Sequence, residues 1–365
     1  MTVQLTTAGE IQHAVRENAD VRVRGGGTKS APRYGAAVFD LTGLSGITEY
    51  SPAECVFTAL AGTPLREITE VLGAHGQYLA FDPPFVADGA TIGGTVASGV
   101  SGPGRYRYGG VRDFLIGVRV VDGEGRLIRS GGKVVKNAAG FLLHHGMVGS
   151  LGRFGVLTEL TFKVFPQPEA RRTVTVHCGS VAGAFAAARE VERLRCDCEA
   201  IDFDERGHLQ VGLAGTSVAI DARAARLTAL LGTGRASCAA AAHGAGTGRA
   251  SCMATAHDAR PVPASTCVTA STCVKVAGLM NSWQELRDHV TSAWFMCAGS
   301  VAWLFTDRLP DLAGALRQAE LTGLVIRGAQ AGERIGHLAH NEFEERVRRV
   351  LDPQNKFSAA PDSRR

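Results

Sequence analysis

The chain has 365 residues, more than one hydrophobic core usually organises, so two domains are expected. Hydrophobic residues make up 45% and charged residues 20%, the composition of a folded globular protein, which excludes general disorder. The formal charge of +4 is spread without any block of Lys and Arg, which excludes nucleic acid as the main partner, and no stretch reaches the roughly 20 apolar residues of a membrane span.

Residues 5–20 read as a short helix, and Val21-Arg22-Val23-Arg24 as a strand running into Gly25-Gly26-Gly27-Thr28-Lys29-Ser30. Val38–Leu41 and Ile47–Tyr50 look like short strands, and Cys55–Ala61 like an apolar strand. Thr63 is expected to cap a helix with Pro64 in its first turn, apolar positions Leu65, Ile68, Val71 and Leu72, and Gly73 as its stop. The region from Phe81 to Gly110 is rich in Gly, Pro and small residues. Phe114–Val121, then Asp122-Gly123, then Leu127–Ser130 spell a hairpin, and Val156–Val164 a further strand before Pro166 and Pro168. Beyond residue 170 the glycine signal weakens, and helices are predicted at 181–195, 311–321 and 343–350. Between them Thr233–Cys238 recurs at 247–252 and Ser265–Val268 at 271–274. Segment 233–275 therefore reads as a duplicated, low-complexity surface loop.

With 45 glycines the chain is well above the usual frequency of roughly 7%, and they cluster. A diphosphate needs several backbone N–H donors at one spot, and glycine lets main chain come close where a Cβ would obstruct. The first cluster is Gly25, Gly26, Gly27, Thr28, Lys29 and Ser30. The second is Pro83-Pro84 followed by Gly89 to Gly99, with Thr91, Ile92, Gly93, Gly94 and Thr95 at its centre. The third is Lys136-Asn137-x-x-Gly140 with Gly149–Glu159, including Gly155, Val156 and Leu157. Ser30 stands where the dinucleotide fingerprint needs glycine, and no Gly-Lys-Ser or Gly-Lys-Thr closes a nucleoside-triphosphate loop, so both familiar phosphate motifs are excluded.

The order of these clusters resembles the vanillyl-alcohol-oxidase and p-cresol-methylhydroxylase superfamily of flavoproteins, and within it the FAD-binding subunits of bacterial glycolate oxidases. The likeness covers residues 21–168 and rests on Asp82-Pro83-Pro84, Ser101-Gly102-Pro103, Gly110–Phe114 with Gly117-Val118-Arg119, and Lys136-Asn137-x-x-Gly140; Asp352-Pro353-x-x-Lys356-Phe357 resembles the closing motif of the same family. The resemblance implies an α+β fold: a two-subdomain FAD-binding domain of the p-cresol-methylhydroxylase type over 1–168, a second α+β, cap-like domain over 169–340, and a segment 341–365 returning to the first. It implies that 25–30 and 91–95 hold the FAD pyrophosphate and that Gly155, Val156 and Leu157 make backbone contacts near the ring or adenine. Thr28, Lys29 and Ser30 offer no His or Cys for covalent attachment, so the FAD is expected to be non-covalent. Two departures stand out: Phe141-Leu142 where relatives carry Tyr-Asp, and Arg153 where they carry a small or hydroxyl residue.

The same resemblance implies conversion of glycolate to glyoxylate in a hetero-oligomer with a larger flavoprotein subunit and an iron-sulfur subunit, a small 2-hydroxy acid being the substrate. Two alternatives stay open: a free-standing FAD-dependent dehydrogenase, and a scaffold subunit with a vestigial flavin site. Oxidising a 2-hydroxy acid needs a base and a carboxylate holder; the weak candidates are His144, His145 and Arg112, with Arg105 and Arg107 as further anion holders. Cys238-x4-His243 and Cys252-x4-His257 are read as by-products of the repeat, so no metal site is expected. Met1–Asp20 carries no cationic-then-apolar leader, and nine irregularly spaced cysteines read as reduced thiols. A cytoplasmic protein is expected, or one held at the inner face of the membrane through partners.

Overall fold

Apolar positions three and four apart, with a Thr7 side chain to receive the Glu10 N–H and a Glu10 carboxylate reaching back, start a helix α1 at Ala8 and carry it to Glu17, burying Ile11 and Val15. In this computed structural model, which describes residues 1–29, 37–132, 142–232, 236–241, 272–328, 333–338 and 342–357, that helix connects the first parallel strands. β1 (Thr2–Gln4) and β2 (Val21–Arg24) both run parallel to β3 (Ala37–Asp40) in a three-stranded sheet. β1 is too short for alternation to reveal it.

A second, antiparallel sheet follows in the order β4-β5-β9-β7-β8, from β4 (Ile47–Ser51), β5 (Val56–Leu60), β7 (Leu115–Val121), β8 (Leu127–Gly131) and β9 (Val156–Lys163). The Asp122-Gly123 hairpin joins β7 to β8, with the buried Asp122 carboxylate accepting from the Glu124 and Arg126 amides. A short pair, β6 (Gln77–Tyr78) with β10 (Phe165–Pro166), closes this half. Helix α2 spans Leu65–Ala74, so two local expectations fail. Pro64 stands at the N-cap, Thr63 instead donates to Leu60 and Gly46 carbonyls, and the helix passes through Gly73 to end before Gly76, at φ +66°. Between the sheets Phe57, Phe81, Phe114 and Phe162 pack ring to ring.

The remainder builds one nine-stranded antiparallel sheet, ordered β14-β11-β13-β12-β16-β17-β15-β18-β19. Its strands are β11 (Ala170–His177), β12 (Ala200–Asp204), β13 (His208–Gly215), β14 (Ala236–Ala241), β15 (Thr272–Ala277), β16 (Ser292–Met296), β17 (Val301–Thr306), β18 (Thr322–Arg327) and β19 (Arg334–Gly336). The helices Val181–Arg193, Ser217–Leu231 and Leu309–Gln318 cover one face. The loop expected over 233–275 is thus corrected at both ends: Ala236–Ala241 pairs with β11, and Thr272–Ala277 lies between β17 and β18. Its middle, 242–271, lies outside the described residues and takes His243, Cys252 and His257 of the Cys-x4-His spacings with it, while Cys238 lies in β14.

The helix Glu342–Leu351 leads into the Asp352–Phe357 turn. There the Asp352 carboxylate accepts the Lys356 and Phe357 amides, and the Lys356 ammonium donates to the Val15 carbonyl at the end of α1 (2.7 Å). No helix among the described residues is long and apolar enough to cross a membrane.

Candidate functional site

β2 delivers the first glycine cluster from the end of a parallel strand. A Cβ on Gly25 would lie 2.4 Å from Thr91 Oγ1, and one on Gly26 would lie 2.0 Å from the Gly89 carbonyl oxygen, so the absent side chains let the first cluster lie directly on the second. Gly27 has φ +69°, open to glycine and strained for most residues. Among the described residues, no backbone acceptor receives the amides of Gly25 to Lys29. A run of amides without described backbone acceptors is the kind of arrangement an anion nest requires.

Lys29 completes it. Its residue is 8% exposed, its ammonium donates to Thr28 Oγ1 (3.2 Å) and stands 5.4 Å from the centre of the Phe85 ring. Burial, helped by the nearby Arg327 guanidinium and opposed by Asp88, pushes its pKa down to about 8. Arg327 shares the Phe85 ring and bridges to Asp88 (2.8 Å), tying β18 to the second cluster. Ser30 lies outside the described residues.

The second cluster is a helix rather than a turn. Thr91 caps α3 (Ile92–Ser98) by accepting the Gly94 amide, while Ile92 donates to Thr63, Gly93 to Ala61 and Thr95 to Thr91 itself. The amides of Ile92, Gly93, Gly94 and Thr95 are therefore committed within the chain. What these residues present is a close-packed wall, seated on β5 because Gly93 touches Ala61 where a Cβ would come within 2.7 Å.

The third cluster docks on the other end of α3. Gly149 donates to the Val96 carbonyl and Leu151 to that of Ala97, and Gly152 faces Val23 of β2. Gly155, at φ +141°, passes the Val121 carbonyl where a Cβ would sit at 2.5 Å; Val156 and Leu157 then register with Val121 and Val120 of β7 and bury their side chains. Only main chain from these two residues is left to meet a ligand. Arg153 is accounted for elsewhere: it pairs at 2.7 Å with Glu344 of the C-terminal helix, which also holds Arg334. The Lys136-Asn137-x-x-Gly140 motif and Phe141 lie outside the described residues.

His144 and His145 sit together on the short helix Leu143–Met147, ring centroids 4.4 Å apart. His144 is buried, with Nδ1 3.3 Å from Ser130 Oγ on β8. Burial first, then His145 and Arg112, depress its pKa; burial and Arg112 depress that of His145 against the pull of Asp113. Both imidazoles are thus shifted toward the neutral form, beside an exposed Arg112. The sequence reading missed Phe85, Asp88 and Arg327, none of which carries a motif.

A glycine loop at the end of a parallel strand thus lies against a small-residue helix, with Arg327 of the nine-stranded sheet beside it across the Phe85 ring. Residues 1–131, about a third of the chain, match the family model described as FAD binding domain. Glycolate oxidase subunit GlcE of Escherichia coli is 42% identical over 164 residues, covering 44% of this chain and 47% of that protein. D-lactate dehydrogenase of Archaeoglobus fulgidus is 32% identical over 152 residues, 42% of this chain and 34% of that one. Glycolate oxidase subunit GlcD of Bacillus subtilis is 32% identical over 155 residues, 41% and 33% respectively. The matches span about half or less of each relative. Among solved structures, alkyldihydroxyacetonephosphate synthase superposes in one crystal form with a TM-score of 0.69 at 14% identity, over 98% of this chain and 76% of that one. At that identity the likeness shows the fold alone.

Proposed function

We propose that this chain is the FAD-binding subunit of a glycolate-oxidase-type 2-hydroxy-acid dehydrogenase. The observation that carries the proposal is the nest of amides from Gly25 to Lys29, pressed against Thr91–Thr95 and backed by a buried ammonium, in a chain whose first 131 residues match an FAD-binding domain. In this reading Gly25–Ser30 hold the diphosphate, Thr91–Thr95 form the wall beside it, and Gly155–Leu157 offer main chain to the adenine or ring. When bound, the flavin would supply the hydride and electron acceptor. Lys29 supplies positive charge, and the nine-stranded sheet excludes water. No His or Cys lies between Gly25 and Lys29, which supports a dissociable cofactor. Residues 1–168 form the flavin domain, 169–340 the cap-like domain and 341–365 the returning segment. A larger flavoprotein subunit and an iron-sulfur subunit are the partners, and glycolate is the substrate.

A free-standing dehydrogenase is favoured by one observation, the adjoining His144 and His145 rings, whose lowered pKa values suit them to accept a hydroxyl proton. Purified chain should be yellow, release its flavin on acid precipitation, and recover colour on adding FAD. Protein that folds but takes up no FAD refutes the reading. Rapid glycolate turnover with a dye acceptor by this chain alone, abolished by His144→Ala or His145→Ala with FAD retained, selects the free-standing version.

A further inference from the structure

The nine-stranded sheet serves two cores. On β15 Val274 and Val276 face the helix-covered side, while Cys273 belongs to the core shared with the N-terminal half. On β17 Ala302 and Leu304 take the first side and Val301, Trp303 and Phe305 the second; on β16 Phe295 opposes Trp294 and Met296. Lys275 keeps this parity. It lies between the two valines, and its ammonium crosses to the carbonyl of Gly99, at the C-terminal end of α3 (3.2 Å).

Strand register sets Lys275 opposite Trp303, and Trp303 opposite Trp294. Directly paired residues stand about 4.5–5.5 Å apart on one face, so an ammonium and two indoles form a row across three strands. Trp303 is 1% exposed and Trp294 7%, yet neither indole N–H has an acceptor among the described residues. Buried donors are nearly always paired, and a buried Trp N–H usually finds a partner; two such donors on neighbouring strands, in register with Lys275, point to a ligand rich in acceptors.

Charge selects its sign. Burial and the Arg105 guanidinium push the Lys275 pKa down to about 8, opposed by Cys297, so two cations approach each other here. The row also borders the site already described. Trp303 packs on Phe85 (ring centroids 5.9 Å), and Phe85 carries Lys29 on its ring. It therefore runs between the first glycine cluster and the end of α3.

We propose that Lys275, Trp303 and Trp294 form the carboxylate-binding edge of the substrate site, the ammonium as charge partner and the indole N–H groups as directed donors to the oxygens of a short 2-hydroxy acid. The proposal rests on the flavin reading above. None of the three residues carries a sequence motif, and all lie where the family resemblance fails.

The test uses the full chain loaded with FAD and oxalate as the probe, a two-carbon dianion with no hydroxyl to oxidise. Two of the three tryptophans lie in the row, so intrinsic fluorescence and the flavin absorption band both report binding. Lys275→Met is expected to weaken oxalate about tenfold or more, and Trp303→Phe, which keeps a ring against Phe85, by about fivefold, with FAD content unchanged. Lys275→Arg should recover part of the loss, and together with Trp303→Phe it carries the test should Lys275→Met fail to fold. Unaltered oxalate binding in these variants overturns the proposal, as does a wild-type holoprotein that binds no oxalate. Loss of FAD affinity with oxalate binding per flavin unchanged also overturns it, assigning the row to the cofactor instead. A chain that retains no FAD brings down the flavin reading itself, a separate outcome visible before any oxalate is added.

Discussion

Gly26→Ala tests the contact on which the site is built. A Cβ at residue 26 would sit 2.0 Å from the Gly89 carbonyl oxygen, and real Cβ atoms essentially never come within 3.0 Å, so one of the two loops must retreat by about 1 Å. The obstacle is backbone, which cannot rotate aside as a side-chain tip would. Overpacking of this kind typically costs about 1–3 kcal/mol. Because the retreating loop carries the amides, most of that cost should appear in FAD affinity, a weakening of about 5- to 150-fold at 1.4 kcal/mol per tenfold. Gly9→Ala is the matched control: it lies in α1 with nothing within 4 Å of its Cβ, and should raise stability by about 0.5–1 kcal/mol without touching FAD. Dissociation constants from flavin fluorescence, with denaturant melts of both variants, separate affinity from folding. A folded Gly26→Ala protein that binds FAD as tightly as the wild type would refute the claim that close approach of these two loops makes the site.

Lys29 is buried with a pKa of about 8 against an ordinary 10.5, so its charge is fully present below about pH 8 and is shed from the native state first as pH rises. FAD affinity should therefore decline from about pH 8 upward with uptake of a proton on binding, and Lys29→Met should bind more weakly and lose that slope; an unchanged slope in the variant removes Lys29 from the site. Glu344→Gln leaves Arg153 and Arg334 without their shared carboxylate and should cost about 1–3 kcal/mol in urea melts, more than Arg153→Met. Burial alone would raise the Glu344 pKa, but hydrogen bonds from both arginines hold it below its ordinary value of 4.5, so this contribution is present above about pH 4.5 and lost as pH falls through the lowered value. Asp352→Ala strands two buried amides, those of Lys356 and Phe357, and should cost about 2–4 kcal/mol; a melt shifted by less than 1 kcal/mol would show that the closing turn is held by something else.

The N-terminal half was legible because its elements announce themselves locally. Val21–Arg24 before three glycines, the Asp122-Gly123 hairpin and the apolar run of β9 each carry their own signal, and the family likeness fixes their order. Thr63 misled because a hydroxyl before a helix can cap it or bond backward, and only the proximity of Gly46 decides. Alanine-rich Ala236–Ala241 reads as loop until β11 lies beside it, because the repeat around it looks like an insertion. Thr91–Thr95 stand out in sequence as a candidate site, but which amides are consumed depends on Thr63 and Ala61 carbonyls some thirty residues away in the chain. Lys275 and Trp303 were invisible for a plainer reason: single residues on long-range strands acquire meaning only through register.

That register separates two kinds of selection along single strands. On β15 and β17 each step of one residue switches between the helix-covered core and the core shared with the N-terminal half, the side on which the proposed acid-binding row lies. A saturation library scored in parallel for soluble expression and for flavin and acid binding should show the two sensitivities interleaved with a period of two, so that neighbouring codons evolve under unrelated demands.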